Sequence, residues 1–223
     1  MITKSVGIQE VNRLHPPRPE AVSSVREKLQ QHTHSFHTRL SHHPLLLGLT
    51  GPDYPIRDYT TLLLAYHRFY RQIEGEIEEG LLRFDLPYCY EKRRRLPWLE
   101  ADLRYFQIEP DTAERPDAPA SIGQEIDSPG KIIGMLYAIE GSALGGQVVL
   151  RHLTENKGLT GATGARFFQG YGADTLLRWR EFCAFAECFA DKPETLQQAK
   201  FAAGDVFISI KTILDSYYGQ RPS

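Results

Sequence analysis

The stretch Tyr137-Ala-Ile-Glu140-Gly141-Ser142-Ala-Leu-Gly145-Gly146-Gln147 decides the fold of this chain. It lies in an apolar segment, 131–153, whose length and lack of proline predict a buried helix and not a strand. Three residues of the stretch are glycine, and each glycine inside a helix costs roughly 1 kcal/mol of stability relative to alanine. This cost indicates that something requires a bare backbone there.

A helical turn of about 100° per residue places Gly134, Gly141 and Gly145 on one narrow face of this helix. Such a face is a shallow groove, and two interpretations compete for it. Another helix can approach closely, which is the commoner case in proteins, or a flat ligand can lie against the backbone. The third glycine and the polar Ser142 at the edge of the groove favour the ligand, because a bent or flexible helix suits something that enters and leaves.

Size and charge exclude several other classes of protein. The chain has 223 residues, enough for one domain, and a net charge of −2 with basic and acidic residues mixed along it. We therefore expect no nucleic-acid partner and no membrane. Three cysteines without metal spacing are typical of free thiols in a reducing compartment. With no signal sequence and no run of 18 apolar residues, the sequence predicts a cytoplasmic protein.

The rest of the chain reads as helical throughout. Apolar residues recur at helical spacing and no segment shows sustained two-residue alternation, so we predict an all-α fold. An irregular proline-rich arm, 1–19, precedes one helical domain, 20–218. Within it we predict helices over 20–40, 56–82, 91–106, 131–153, 174–189 and 194–218. The sequence Glu78-Glu79-Gly80 is interpreted as the end of the second helix or as a kink.

Two motifs together resemble one family. The stretch from Tyr137 to Gln147 resembles the distal-helix motif of the haem oxygenases, in particular the bacterial branch with Glu-Gly-Ser ahead of Leu-Gly-Gly. The segment Leu29-Gln-Gln-His-Thr33-His-Ser-Phe-His37-Thr-Arg-Leu40 is similar to the proximal helix of that family, Thr-x-x-x-His-x-x-Leu. Residues 165–179 resemble the region that follows the distal helix. The resemblance spans roughly residues 20–218.

The resemblance implies a single-domain fold with haem between the proximal and distal helices. His37 is the expected iron ligand, with Thr33 beside it, and the backbones of Gly141, Gly145 and Gly146 would cover the other haem face and leave room for O2. Haem would be both substrate and cofactor. With O2 and an external electron donor of ferredoxin or reductase type, the family converts haem to biliverdin, CO and ferrous iron. A bacteriophytochrome partner follows by analogy with the bacterial branch.

Several further residues take expected roles from this resemblance. Ser142 stands where the animal enzymes carry an Asp that organises distal water, so we expect Ser142 and water to relay protons; the alternative is a serine that bonds back into its own helix. Glu140 either joins this distal network or is solvated. Four other histidines lie near His37, and Ser41 replaces a Glu that in many relatives orients the ligand imidazole. The candidates for binding the haem propionates are Arg26, Tyr171, Arg178 and Arg180.

Alternative functions stay open at this stage. A non-catalytic haem-binding protein of the same fold is the main one, because Ser41 and Ser142 depart from the commoner pattern. A relative of the same fold with a di-iron or thiamin-related function lacks support, since no pair of Glu-x-x-His motifs is present. The basic run from Lys92 to Arg95 is interpreted either as a docking face for an acidic electron donor or as a solvated helix face.

Overall fold

The structure is a computed structural model that describes residues 23–110, 126–190 and 192–219. Within these ranges all regular structure is helical, which confirms the predicted fold class. The α helices are α1 (Val25–Ser41), α2 (Ile56–Arg83), α3 (Leu96–Tyr105), α4 (Pro129–Lys157), α5 (Arg166–Gln169), α6 (Thr175–Phe189) and α7 (Pro193–Gly219), with short 3-10 turns at Glu91–Arg93 and Gly172–Asp174. The predicted arm, 1–19, lies outside the described residues.

Helix α1 begins at a capping box. The Ser24 side chain accepts a hydrogen bond from the Glu27 amide at 3.2 Å, and the Glu27 carboxylate accepts one from the Ser24 amide at 3.0 Å. These bonds satisfy amide groups that have no partner inside the helix. A third amide, that of Val25, donates to Glu187 of α6 at 2.7 Å. The beginning of α1 is therefore fixed against α6.

One predicted helix end is confirmed to within one residue, and another predicted boundary was wrong. Helix α2 ends at Arg83, next to the predicted end at residue 82, and does not end at Glu78-Glu79-Gly80, as one interpretation of that sequence had it. Gly80 is instead a packing position, because a Cβ on it would overlap the Ile132 side chain of α4. The predicted helix over 91–106 is broken at Arg94, whose ψ of 134° is extended, and α3 begins only at Leu96, with a proline in its first turn.

Helix α4 is the centre of the fold and packs against α7, α6, α5 and α2. By length and composition alone, this helix could cross a membrane. Half of its apolar stretch, however, is buried inside the fold. A central core helix has the same character, so this helix is weak evidence for a membrane span. The helix ends at Gly158, whose φ of 67° is the left-handed conformation that favours glycine.

Helix α7 lies between α1 and α4 and fixes their relative level. On one side, the residues of α1 contact α7 in matching order: His32 faces Phe201, Phe36 faces Gly204 and His37 faces Phe207. On the other side, Gly130 of α4 faces Thr195 and Gln198, and Gly134 faces Ala199 and Ala203. Both helices therefore advance along α7 in the same direction.

Candidate functional site

From the register of α1 and α4 along α7, we infer that His37 and Gly141 lie at about the same level. Seven residues beyond Gly134, the register of α4 along α7 reaches the neighbourhood of Phe207, which His37 contacts with a ring-centroid distance of 6.0 Å. One turn earlier on each helix, Thr33 and Tyr137 are in side-chain hydrogen-bonding contact. Helices α1 and α4 are otherwise held apart, since each packs mainly on α6 and α7. The arrangement is a cleft with the Thr33–Tyr137 contact at its base.

The glycines of α4 divide into two groups. A Cβ on Gly134 would overlap the Ala199 carbonyl oxygen, and one on Gly146 would lie 3.0 Å from the Phe168 carbonyl oxygen. These glycines permit close helix packing. A Cβ on Gly145 would meet nothing within 4 Å, and one on Gly141 would lie 3.6 Å from the Trp179 ring, an ordinary contact.

This division corrects two sequence-based predictions. Gly134 does not belong to the open groove, because it faces α7, and Gly146 faces α5 and not the cleft. Only Gly141 and Gly145 have no packing reason to be glycine. Close packing is therefore the correct interpretation for Gly134 and Gly146, whereas open space lies over Gly145, where the ligand interpretation stays a prediction.

The neighbouring histidines are distinguished by what their ring nitrogens contact. His43 is buried; its Nδ1 accepts from the Leu45 amide at 3.1 Å, and its Nε2 lies 3.3 Å from Asp215. His42 uses Nδ1 on the Thr38 carbonyl at 2.7 Å. The His37 imidazole is exposed and forms no hydrogen bond within the described part of the chain, apart from its ring contact with Phe207. His37 is therefore the histidine at the cleft whose nitrogens are available to a ligand.

His32 and His34 complete this comparison. The His32 ring is packed between Phe36 and Phe201, with centroid distances of 6.0 and 6.1 Å, so aromatic side chains cover it on two sides. His34 is exposed at a different point around α1. Thr33 is buried and its hydroxyl donates to the Leu29 carbonyl at 2.8 Å, so its place is in the base of the cleft.

Ser142 is exposed and its hydroxyl donates to the Ile139 carbonyl at 2.7 Å. This is the bond back into its own helix that the sequence left open as an alternative. The same hydroxyl is also in hydrogen-bonding contact with Tyr70 of α2. Burial raises the pKa of Tyr70 above its ordinary value, while nearby Arg95 and the Ser142 contact oppose that rise. Ser142 thus links the open face of α4 to buried polar groups behind it.

Those groups form a buried polar cluster around Glu140, which is 1% exposed. The cluster comprises Tyr70, Glu74, Tyr88, Tyr90, Arg93, Arg95, Glu140 and Tyr171. Glu140 accepts from Tyr88 at 3.2 Å and from Tyr171 at 3.0 Å, and lies 3.4 Å from Arg93 Nη1 and 3.5 Å from Arg95 Nη2. Burial decides the question that the sequence left open, because Glu140 belongs to this network and is not solvated.

The second carboxylate of the cluster is Glu74 on α2. It accepts from the Arg95 amide at 2.5 Å and from the Tyr90 hydroxyl at 3.3 Å, and so caps the beginning of α3. Burial raises the pKa of Glu74 above its ordinary value, while its hydrogen bonds oppose that rise. Burial likewise raises the pKa values of Tyr88 and Tyr171, with further increase from the Glu140 charge. The Glu140 carboxylate is thus surrounded by two arginine guanidinium groups and two tyrosine hydroxyls.

The predicted propionate-binding residues have different surroundings. Arg26 is exposed and pairs with Glu27 at 3.6 Å; it lies near Tyr137 and Cys183, whose pKa values are raised by burial, a rise that the Arg26 charge opposes. Tyr171 has its hydroxyl on Glu140, inside the fold, which favours a place in the polar cluster. The two α6 arginines differ: the first, Arg178, pairs with Glu181 at 3.1 Å.

Arg180, next to the Trp179 that faces Gly141, is exposed and forms no hydrogen bond or ion pair with the described residues. It is therefore the cation of this group whose guanidinium is most available to an anionic ligand.

The basic run was misinterpreted from the sequence. Arg93 and Arg95 are buried in the polar cluster, and only Lys92 and Arg94 reach the surface, where Arg94 pairs with Glu78. No regular sequence period indicates this, because the inward-facing positions are spaced two, three and two residues apart. Tyr88, Tyr90, Arg93 and Arg95 point inward while the residues between them are exposed.

An all-α fold that holds a free histidine and two unpacked glycines on opposite sides of a cleft is the architecture of a protein that binds a flat ligand between two helices. Residues 23–216 match the family model described as Heme oxygenase, so the chain belongs to the haem oxygenase family. A relative in Xanthomonas campestris pv. campestris (strain 8004), described as a heme oxygenase, is 30% identical over 129 residues, which cover 58% of this chain and 72% of that protein.

Solved structures of three organisms share the fold. The chain is similar to the NO- and CO-bound heme oxygenase from Neisseria meningitidis, with a TM-score of 0.70, 21% identity and coverage of 90% of this chain and 94% of that one. It is also similar to heme oxygenase-1 from the cyanobacterium Synechocystis sp. PCC6803 in complex with heme (TM-score 0.66, 15% identity, 88% and 93% covered). The heme oxygenase from Leptospira interrogans gives a TM-score of 0.67 at 16% identity, with 86% and 98% covered.

Proposed function

We propose that this protein degrades haem to biliverdin, CO and ferrous iron with O2 and electrons from an external donor. One observation carries the proposal: Gly141 and Gly145 are the α4 glycines that no packing contact explains, and they lie at the level of His37 across the cleft. Family membership supplies the reaction class.

The residues of the cleft fit a haem group. The His37 imidazole is exposed and forms no hydrogen bond in the described ranges, so a ring nitrogen is available to bind iron. Val148, which shares the helical face of Gly141 and Gly145, is an apolar side chain that is 50% exposed. Such surface is normally covered, and a porphyrin ring is apolar and flat. When bound, haem supplies the iron that activates O2 and the carbon that is oxidised.

The contributions of the protein follow from the geometry. His37 holds the ligand on the α1 side, while the bare backbone at Gly145 leaves a small space on the α4 side and places no side chain there. Ser142 and the Tyr70 hydroxyl form a hydrogen-bonded pair at the edge of that space. We propose that they deliver protons there, with the Glu140 cluster orienting Tyr70 from behind. Arg180 is proposed to bind a propionate, with Arg26 and Arg178 as weaker candidates.

The test is a comparison of wild-type protein with His37→Ala. Mixed with hemin, O2 and a reductant, the wild type should lose its Soret band and develop biliverdin absorption. The variant should bind hemin weakly and regain degradation when imidazole is added, because free imidazole can occupy the vacated position. Equal binding and degradation by both proteins would refute the assignment of His37.

One observation favours a second candidate, a haem-binding protein without turnover. The Ser142 hydroxyl already donates to the Ile139 carbonyl, so its hydrogen is committed within its own helix. A protein of this kind would bind hemin through His37 and keep an unchanged haem spectrum in the presence of O2 and reductant. The same experiment therefore separates the two functions.

The electron donor, partners and location are proposed on other grounds. A ferredoxin- or reductase-type donor follows from the reaction, which requires electrons, but the Lys92–Arg95 run no longer supports an acidic docking partner. A bacteriophytochrome as consumer of biliverdin, a cytoplasmic location, and the lack of nucleic-acid and membrane partners stay predictions from sequence. Incubation of the wild type with hemin and a ferredoxin and its reductase, in place of a chemical reductant, tests the donor.

A further inference from the structure

The position of Arg93 is difficult to explain by stability alone. Its side chain is 6% exposed, and its guanidinium is shared among partners from two different helices. A buried ion pair generally stabilises a fold no better than packed apolar side chains, because desolvation of the charges offsets their attraction. A buried arginine with this set of partners therefore indicates a requirement for a defined geometry.

The partners of Arg93 stand on the two helices that meet at the glycine face. On the α4 side, Arg93 Nη1 lies 3.4 Å from the Glu140 carboxylate, one residue before Gly141. On the α6 side, Nη1 donates to the Arg178 carbonyl at 3.2 Å and Nη2 to Glu181 at 2.5 Å. Trp179 and Arg180 are the two residues between Arg178 and Glu181 in the sequence. Arg93 is thus a bridge between α4 and α6.

Trp179 is the side chain that α6 presents to the glycine face. Its ring lies 3.6 Å from the place where a Cβ on Gly141 would stand and is stacked on Phe182 at 5.4 Å. Any change in the separation of α4 and α6 here moves Trp179 relative to Gly141. The width of the cleft on its α4 side is therefore set by the same contacts that Arg93 makes.

We propose that Arg93 is a positioning residue that fixes α6, and with it Trp179, against the glycine face of α4. The inference rests on the proposed function, since the ligand whose entry and exit it controls is haem. Arg93 contacts no ligand and acts through Glu181 and the Arg178 carbonyl. Because the Glu181 side chain is 40% exposed, the α6 end of the bridge can be broken at the surface without burying an uncompensated charge.

The test compares Glu181→Gln with Glu78→Gln, both in a Trp98→Phe background. The chain has two tryptophans, so this background leaves Trp179 as the single tryptophan, whose emission can be excited selectively over that of tyrosine. Glu78 is the matched control, because it pairs with Arg94 of the same basic run but touches neither α4 nor α6. Acrylamide quenching of Trp179 in the haem-free protein reports the α6 contact, and transfer of hemin to excess apomyoglobin reports its dissociation rate.

We expect Glu181→Gln to increase quenching of Trp179 and to raise the hemin dissociation rate about tenfold, equivalent to about 1.4 kcal/mol. Without haem, Glu181→Gln and Glu78→Gln should have the same denaturation midpoint. If the Arg93–Glu181 pair served only the stability of the fold, Glu181→Gln would have the lower midpoint. Arg93→Met should show the same two changes more strongly. Equal quenching and dissociation for both Gln variants would overturn the proposal. If the wild type binds no hemin, the proposed function fails, and the quenching comparison alone decides the role of Arg93.

Discussion

Substitution of single α4 glycines by alanine should have opposite effects at Gly145 and at Gly134. An interior glycine costs a helix about 1 kcal/mol relative to alanine. At Gly145 the added methyl group meets no atom within 4 Å, so the haem-free protein should gain that amount. For a protein of this size the gain corresponds to a rise in Tm of about 2–4 °C.

At Gly134 the same methyl group has no room. It would overlap the Ala199 carbonyl oxygen and lie 2.9 Å from the Ala203 amide nitrogen, and both are backbone atoms that no side-chain rotation can move. Helices α4 and α7 would have to separate. Overpacking of this kind costs about 1–3 kcal/mol, and backbone atoms place the cost near the upper limit. After the gain in helix propensity, Gly134→Ala should lose about 2 kcal/mol.

Urea denaturation of the haem-free variants measures both changes in the free energy of unfolding. Hemin titration measures the change in hemin affinity of each variant. The methyl group at Gly145 projects toward the proposed haem face, so Gly145→Ala should bind hemin about tenfold to a hundredfold more weakly. A stabilised variant with impaired binding is the expected signature. Loss of stability in Gly145→Ala, or unchanged hemin affinity and turnover, would refute the assignment of the open face, and a neutral Gly134→Ala would refute the α4–α7 contact.

Three further outcomes are expected. Tyr70→Phe removes the hydroxyl that contacts Ser142, so haem degradation should slow about a hundredfold with hemin affinity unchanged; equal rates would exclude Tyr70 from proton delivery. Glu140→Gln leaves the buried Arg95 guanidinium without a carboxylate and Arg93 with Glu181 alone, and should cost about 3–5 kcal/mol by urea denaturation, against at most about 1 kcal/mol for the surface variant Glu78→Gln. Burial raises the pKa of Asp102 from 3.8 to about 6, so the native state binds this proton more tightly than the unfolded chain, and stability should fall by about 3 kcal/mol as the pH rises through that range. Asp102→Asn should lack this part of the pH dependence, and an identical dependence in both proteins would contradict it.

The helices and the two facing motifs were predictable because both depend on local sequence. Apolar spacing locates α2, α6 and α7 within a few residues, and the glycine helix differs only by extra residues at each end. Which glycines face the ligand was not predictable, because Gly134 and Gly145 share one face by helical geometry. Only the path of α7, which covers Gly134 and leaves Gly145 open, distinguishes them.

The polar cluster was the part of the site that the sequence concealed. Its members come from α2, from the segment before α3, from α4 and from the turn at Tyr171, and Glu140 meets Tyr88 across 52 positions of sequence. Three adjacent arginines read as a surface feature by composition. The extended backbone at Arg94 directs the side chains of Arg93 and Arg95 to the interior. The segment is too short to show the periodicity of a helix or a strand, so the sequence does not reveal which arginines are buried.

Features that weaken the fold are concentrated in one short part of α4. Glu140 brings a charge into the core, where pairing at best offsets the cost of desolvation, and two glycines that no packing contact requires follow within five residues. Elsewhere on the same helix, Gly134 and Gly146 are explained by close contacts that their missing side chains permit. Packing therefore explains Gly134 and Gly146, but it does not explain the buried charge of Glu140 or the glycines at 141 and 145. Local choices that conflict with stability are expected where function requires them, and this segment is the one that we propose faces His37 across the cleft.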